Sequence, residues 1–205
     1  ELVGEPHRGL EYMFSMMNHA RLNVGLQGLA IAERAYQQAR SYARERRQGQ
    51  PLGAAPGATI IEHPDVRRML MSMKSRIQAM RGLLYEVAGV HDVAHAHPDE
   101  AVRAEAMRRV ELLTPIAKGW CTETGIEIAS LAVQIHGGMG YIEETGVAQH
   151  WRDSRITTIY EGTTGIQAND LVGRKLIRDK GSAARALLDG MAAECQALAE
   201  GPLGA

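Results

Sequence analysis

The chain has 205 residues, enough for one domain or one and a half, with a sizeable core. Hydrophobic residues are 45% and aromatics only 4%, so Leu, Ala, Met, Ile and Val must fill that core, which suits packed helices better than a sheet. A net charge of −1 and a pI near 6.8 argue against a nucleic-acid surface, and no apolar run approaches the ~20 residues of a membrane span.

Residues 1–9 open without a Met or a basic-then-apolar leader and read as the end of a preceding domain or linker, turning at Gly4-Glu5-Pro6. We expect the chain to be a piece of a longer protein. From Leu10 to Arg47 there is no proline, and Met13, Met17, Leu22, Leu26, Leu29, Ala32 and Tyr36 recur at helical spacing, so one long amphipathic helix is expected. Gly25 and Gly28 inside it point to close helix packing. Its basic end, Arg40, Arg44, Arg46 and Arg47, complements the helix dipole.

A Pro/Gly/Ala loop over 50–58 leads to Glu62-His63-Pro64, where proline suits the first position of a second helix running to about His95. Met69, Leu70, Met73, Ile77, Met80, Leu84 and Val87 hold core spacing there, the methionines as adaptable filler. His91, His95 and His97 lack a Cys partner and read as solvated rather than zinc-binding. Cys121 and Cys195 form no disulfide or metal pattern and read as reduced thiols. A third helix spans about Asp99 to Val133, with a kink or a break expected at Pro115. No repeat emerges. A short helix is expected over Thr145–Trp151, then Arg152, Asp153 and Arg155 as a salt-bridged turn, a helix over Thr164–Arg178, and a last apolar-periodic run over 181–205, ending at Gly201-Pro202. Together these elements predict an all-α fold, an antiparallel four-helix bundle over 10–180, with 181–205 extending toward a further domain.

The chemistry concentrates in Gln134–Gln167, QIHGGMGYIEETGVAQHWRDSRITTIYEGTTGIQ. The Gly137-Gly138 pair and Gly140 mark backbone that must turn or closely approach something. Glu161 stands among Ile159, Tyr160, Thr163 and Thr164, the apolar and hydroxyl setting of a candidate general base.

These two motifs, QIHGGMGY and RDSRITTIYEGTTGIQ, resemble the C-terminal helical domain of the acyl-CoA dehydrogenases in order and spacing, over about residues 1–178. The longer bacterial members are the better match. The resemblance implies a cytoplasmic flavoenzyme of fatty acid metabolism that removes two hydrogens across Cα and Cβ of an acyl-CoA thioester. Glu161 would take the α-proton, and Gly162 would leave room for close approach of the thioester. FAD would be held by Arg46, His63, Gln134, Ile135, His136, Gly137, Gly138, Thr163, Thr164 and Gly165. Of these, Arg46 and Gln134 to Gly138 match family positions that reach the flavin of a neighbouring subunit, and His63 matches a position that touches flavin. Asn18 and Arg21 would lie near substrate. The implied partners are electron-transfer flavoprotein and a second copy, as a homodimer or a dimer of dimers. The sequence departs from the family at Gln48, where a Phe is usual, at Pro64 and Gly165, where Gln is usual, and at Asn18, where Asp is usual. An acyl-CoA oxidase of the same fold and a non-catalytic oligomerisation module are the competing readings. The 19 Arg against 4 Lys hint at a GC-rich bacterial source.

Overall fold

The bundle is built on three long rods. In the computed structural model, which describes residues 2–201, these are α1 (Gly9–Glu45), α2 (Pro64–Ala96) and α3 (Glu100–His136). Shorter helices follow: α4 (Gly138–Tyr141), α5 (Val147–Ile156), α6 (Thr164–Asn169), which continues as a π-helical segment over Asp170–Leu176, and α7 (Ser182–Ala199). No strand occurs among the described residues. Glu1 and residues 202–205 lie outside them, and with them Pro202, where the last run was expected to stop.

The rod ends follow local chemistry. Pro64 occupies the first position of α2, where its missing N–H costs nothing. Asp99 caps α3, its side chain accepting from the N–H of Ala101 at 2.8 Å and of Val102 at 3.4 Å. Gly137, at φ 62°, ends α3 and turns the chain into α4.

Three expectations are corrected. Pro115 does not break α3, which runs continuously through it. The rod is packed on several sides, and Thr114 hydrogen-bonds back to the Val110 carbonyl at 2.7 Å, so packing outweighs the lost backbone bond. Second, α5 extends past Trp151 to Ile156, and Arg152 pairs with Glu143 at 2.7 Å instead of forming a turn with Asp153. Third, the buried stripe of α1 keeps only part of the expected set: Leu29 and Ala32 are buried and Leu22 and Tyr36 pack against the core, but Met13 and Leu26 are exposed, and Gly25, Gly28, Ala35, Ala39 and Ala43 complete the stripe.

Close helix packing explains the third point. A Cβ built at Gly28 would sit 2.7 Å from the Cys121 carbonyl oxygen, and one at Gly125 would sit 2.9 Å from the Gly28 carbonyl oxygen. Backbone meets backbone where α1 crosses α3, so only small residues fit. By contrast all seven predicted core positions of α2 are buried. The α2 rod runs antiparallel to both others: Arg81 pairs with Glu33 on α1 at 2.8 Å, and Arg76 with Glu127 on α3 at 2.5 Å. The fourth position of the bundle is filled in pieces, by α5 and by α6 with its π continuation. The α7 helix has no buried residue and meets the core through Leu187.

Gly28→Ala is expected to lower the unfolding free energy of the chain by about 1–3 kcal/mol in urea denaturation, because carbonyl and Cα atoms must shift to admit the methyl. At Gly82, helical and with nothing within 4 Å of a built Cβ, the same change should stabilise by roughly 0.5–1 kcal/mol.

Candidate functional site

The chain between α5 and α6 makes a tight reversal. Thr163 caps α6, its hydroxyl accepting from the Ile166 N–H at 3.2 Å. Gly162 takes φ 88°, a conformation open to glycine, and a Cβ there would meet the Gln167 amide at 2.8 Å. Glu161 has no such freedom, yet sits at φ 54°. Of the three non-glycine residues with positive φ among those described, His7 and Lys180 are exposed, whereas Glu161 is half-buried against the bundle. A non-glycine residue in this region carries strain that its surroundings must hold in place.

Those surroundings are specific. Lys118, on α3 and fully buried, donates from Nζ to the Gly162 carbonyl at 2.6 Å. The Gln167 side-chain amide, 2% exposed, donates to the same carbonyl at 3.1 Å and to the Glu161 carbonyl at 3.4 Å. Thr164 donates to Glu123 on α3 at 2.6 Å. Tyr160 hydrogen-bonds Gln27 on α1. The N–H groups of Tyr160 and Thr164 are spent on the carbonyls of Ile156 and Thr158. Those of Glu161 and Gly162, between them, donate to nothing among the described residues. Burial pushes the Lys118 ammonium down to about 8, against the attraction of Glu123 and Glu161 and with the repulsion of Arg21.

Arg21 lies on the α1 side of this region. It is 4% exposed and pairs with Asp170, 7% exposed, at 3.1 Å, tying α1 to the π segment. Asn18 accepts from the same guanidinium at 3.4 Å. Asn18, Arg21, Asp170 and Arg174 line one open concavity of about 420 Å³.

A second group gathers where α1 and α3 end. Tyr42, Arg46, His63, Gln134, Ile135, His136 and Gly137 line a groove of about 260 Å³. The turn after α1 is closed by the Ile60 N–H on the Arg46 carbonyl at 2.8 Å and by a hydrogen bond between the His63 ring and the Gln48 carbonyl at 3.0 Å. His136 stacks on Tyr42 at 4.2 Å and bonds the Ala132 carbonyl at 2.8 Å, and burial lowers its proton affinity, so it is held as a neutral ring.

Thus Glu161, Gly162, Thr163, Thr164 and Gly165 share one turn, and Asn18 and Arg21 stand together at the concavity they share with Asp170. Arg46, His63, Gln134, Ile135, His136 and Gly137 share the distant groove, with Gly138 next to them at the start of α4. From Lys118 to His136 is about 27 Å along the α3 axis. A concavity of about 620 Å³ between the end of α2 and the start of α3 touches neither group. No three His, Cys, Asp or Glu side chains among the described residues stand together as metal ligands; His91 instead stacks on His95 at 4.2 Å.

The sequence reading missed Lys118, Gln167 and Asp170. A lysine in an apolar-periodic stretch, Ile116-Ala117-Lys118-Gly119, was the available signal: helical spacing from Thr114, Cys121 and Gly125 places it on the buried face.

Arg21→Met should cost the chain about 3–5 kcal/mol in urea unfolding, because buried Asp170 is left with only the longer, 3.7 Å pairing to the exposed Arg174. Adding Asp170→Leu should recover most of that loss.

The family model described as the C-terminal domain of acyl-CoA dehydrogenase matches residues 7–176. The chain is 57% identical over 202 residues to a 3-methylmercaptopropionyl-CoA dehydrogenase of Ruegeria pomeroyi, covering 98% of this chain and 34% of that protein. It is 38% identical over 188 residues to a broad-specificity linear acyl-CoA dehydrogenase of Mycobacterium tuberculosis, covering 89% and 31%. The solved butyryl-CoA dehydrogenase of Megasphaera elsdenii superposes with a TM-score of 0.67 at 30% identity, covering 84% of this chain and 40% of that one. The chain spans about a third of the length of these two curated relatives. It belongs to the acyl-CoA dehydrogenase family, as the helical C-terminal domain of that fold.

Proposed function

We propose that this chain is the helical part of a flavin-dependent acyl-CoA dehydrogenase in which Glu161 is the catalytic base. The observation that carries the reading is the strained, half-buried Glu161 on a turn pinned from both sides. A bundle gains no stability from a carboxylate in left-handed backbone, so the conformation is retained for where it aims the side chain.

The reaction needs three things from this chain. The α-proton of a thioester is only weakly acidic, so the base must be fixed within reach of it and partly shielded from water. Half-burial of Glu161 supplies part of that shielding, and bound acyl chain would supply the rest. Charge then develops on the thioester oxygen, which requires donors already in place. The uncommitted Glu161 N–H is such a donor, and Gly162 lets the acyl group come close. As the Glu161 carboxylate takes the α-proton, the Cα–H bonding pair becomes the Cα–Cβ double bond and hydride leaves Cβ. Bound FAD supplies the two-electron acceptor for that hydride.

The two residue groups fit the cofactor as separate contacts. In the groove, Arg46 offers a planar fork that spends one nitrogen on Gln48 and keeps the others for a pyrophosphate. Gln134 is exposed, and Gly137 has open space where a Cβ would stand, so backbone can approach the cofactor there. Thr163, Thr164 and Gly165 hold it near Glu161. A separation of about 27 Å along α3 supports a cofactor shared between two copies, the groove of one serving the turn of the other. Asn18 and Arg21 border the substrate, Arg21 with its charge balanced by Asp170. The electron acceptor in this reading is electron-transfer flavoprotein.

Glu161→Gln in the full-length enzyme should lower the dehydrogenation rate by roughly 10²–10⁴-fold with flavin retained, followed at the flavin absorbance. Undiminished turnover would favour a non-catalytic bundle. Rates with an artificial acceptor well above those with oxygen separate a dehydrogenase from an oxidase.

A further inference from the structure

Resting on the assignment of Glu161 as base, we propose that Lys118 is the positioning residue of the catalytic turn: its buried side chain clamps the Gly162 carbonyl and so fixes where the Glu161 carboxylate points. Lys118 is fully buried and makes a 2.6 Å hydrogen bond to that carbonyl, the link from α3 to the backbone of the turn. The carbonyl immediately follows the strained residue. Gln167 fills its second acceptor position at 3.1 Å. The peptide leaving Gly162 is therefore held at both lone pairs, and Gln167 also reaches the Glu161 carbonyl at 3.4 Å, so the two peptides that follow the Glu161 Cα are both restrained.

A clamp with only a structural purpose would not need a charge. Burying an ammonium is costly, and an uncharged donor such as Gln167 holds a carbonyl without that cost. What the ammonium adds is strength, since charge-assisted hydrogen bonds are about twice as strong as neutral ones, and a positive charge beside the carboxylate it positions. The charged groups facing it are Glu123 on its own helix, Arg21 on α1, itself paired with Asp170 of the π segment, and Glu161 in the turn. Loss of its proton, near pH 8 in this chain, would leave a neutral and weaker donor. Clamping should therefore be complete on the acid side of that value and fade on the alkaline side.

The test uses the full-length flavoenzyme with Lys118→Met, Lys118→Arg and Glu161→Gln. For Lys118→Met we expect kcat to fall about 10–100-fold, KM to change less than about threefold, and bound flavin and thermal midpoint to be kept. The alkaline fall of wild-type kcat should disappear. Lys118→Arg, which keeps a charged donor, should recover part of the rate and move that fall upward. Wild-type kcat and an unchanged pH profile in Lys118→Met, with Glu161→Gln inactive, would overturn this inference alone. An active Glu161→Gln would overturn the base assignment and this inference with it. Should Lys118→Met not fold, the wild-type profile decides: no fall in kcat between about pH 7 and 10 overturns the proposal.

Discussion

Everything in this domain depends on the contact between two helix backbones. Gly25 and Gly28 on α1 face Ala117, Cys121 and Gly125 on α3 so closely that no Cβ fits at the tightest point. This brings α1 and α3 together as a parallel pair with almost no side chains between them. Every group at the Glu161 turn is measured from that pair: Lys118 and Glu123 stand on α3, Arg21 and Gln27 on α1. If the pair were spread by one methyl group, the seat beneath the turn would widen on both sides at once.

In the proposed reading, the turn converts that rigidity into chemistry. Interiors are close-packed and transmit strain. Here the strain is concentrated at one residue, Glu161, and is held by donors that approach the same peptide from α3 and α6. The Arg21–Asp170 pair ties the following π segment to α1, so the far side of the turn is anchored too. The cost is visible in the core, where an ammonium, a guanidinium and a carboxylate are all nearly inaccessible to water.

The sequence made much of this legible. The α2 core was readable residue by residue because large apolar side chains carried it. The α1 core was readable only in part, at Gly25, Gly28, Leu29 and Ala32, because alanine gives a weak periodic signal, and exposed Met13 and Leu26 supplied a misleading one. Pro115 misled for a related reason: local propensity argues for a break, and tertiary packing of α3 overrides it. Glu161 and the Gly137-Gly138 bend were visible as motifs, and the groove shared by Arg46, His63 and Gln134–Gly137 was foreshadowed by the resemblance. Lys118, Gln167 and Asp170 were passed over because their roles depend on which distant residues they meet. A charge inside a helical run looks like a wet face until the fold shows otherwise.

One consequence concerns the continuity of α3. Lys118 and His136 are carried by a single uninterrupted rod, so it acts as a ruler between the acid and the groove. Inserting or deleting one residue between them would slide one end by about 1.5 Å and swivel it by about 100°. Either end could still fold locally, but the two would no longer address their targets from compatible directions. In an assembly that joins one copy's turn to another's groove, that span is a gauge length: it sets how far apart, and at what angle, two subunits must sit for both to work.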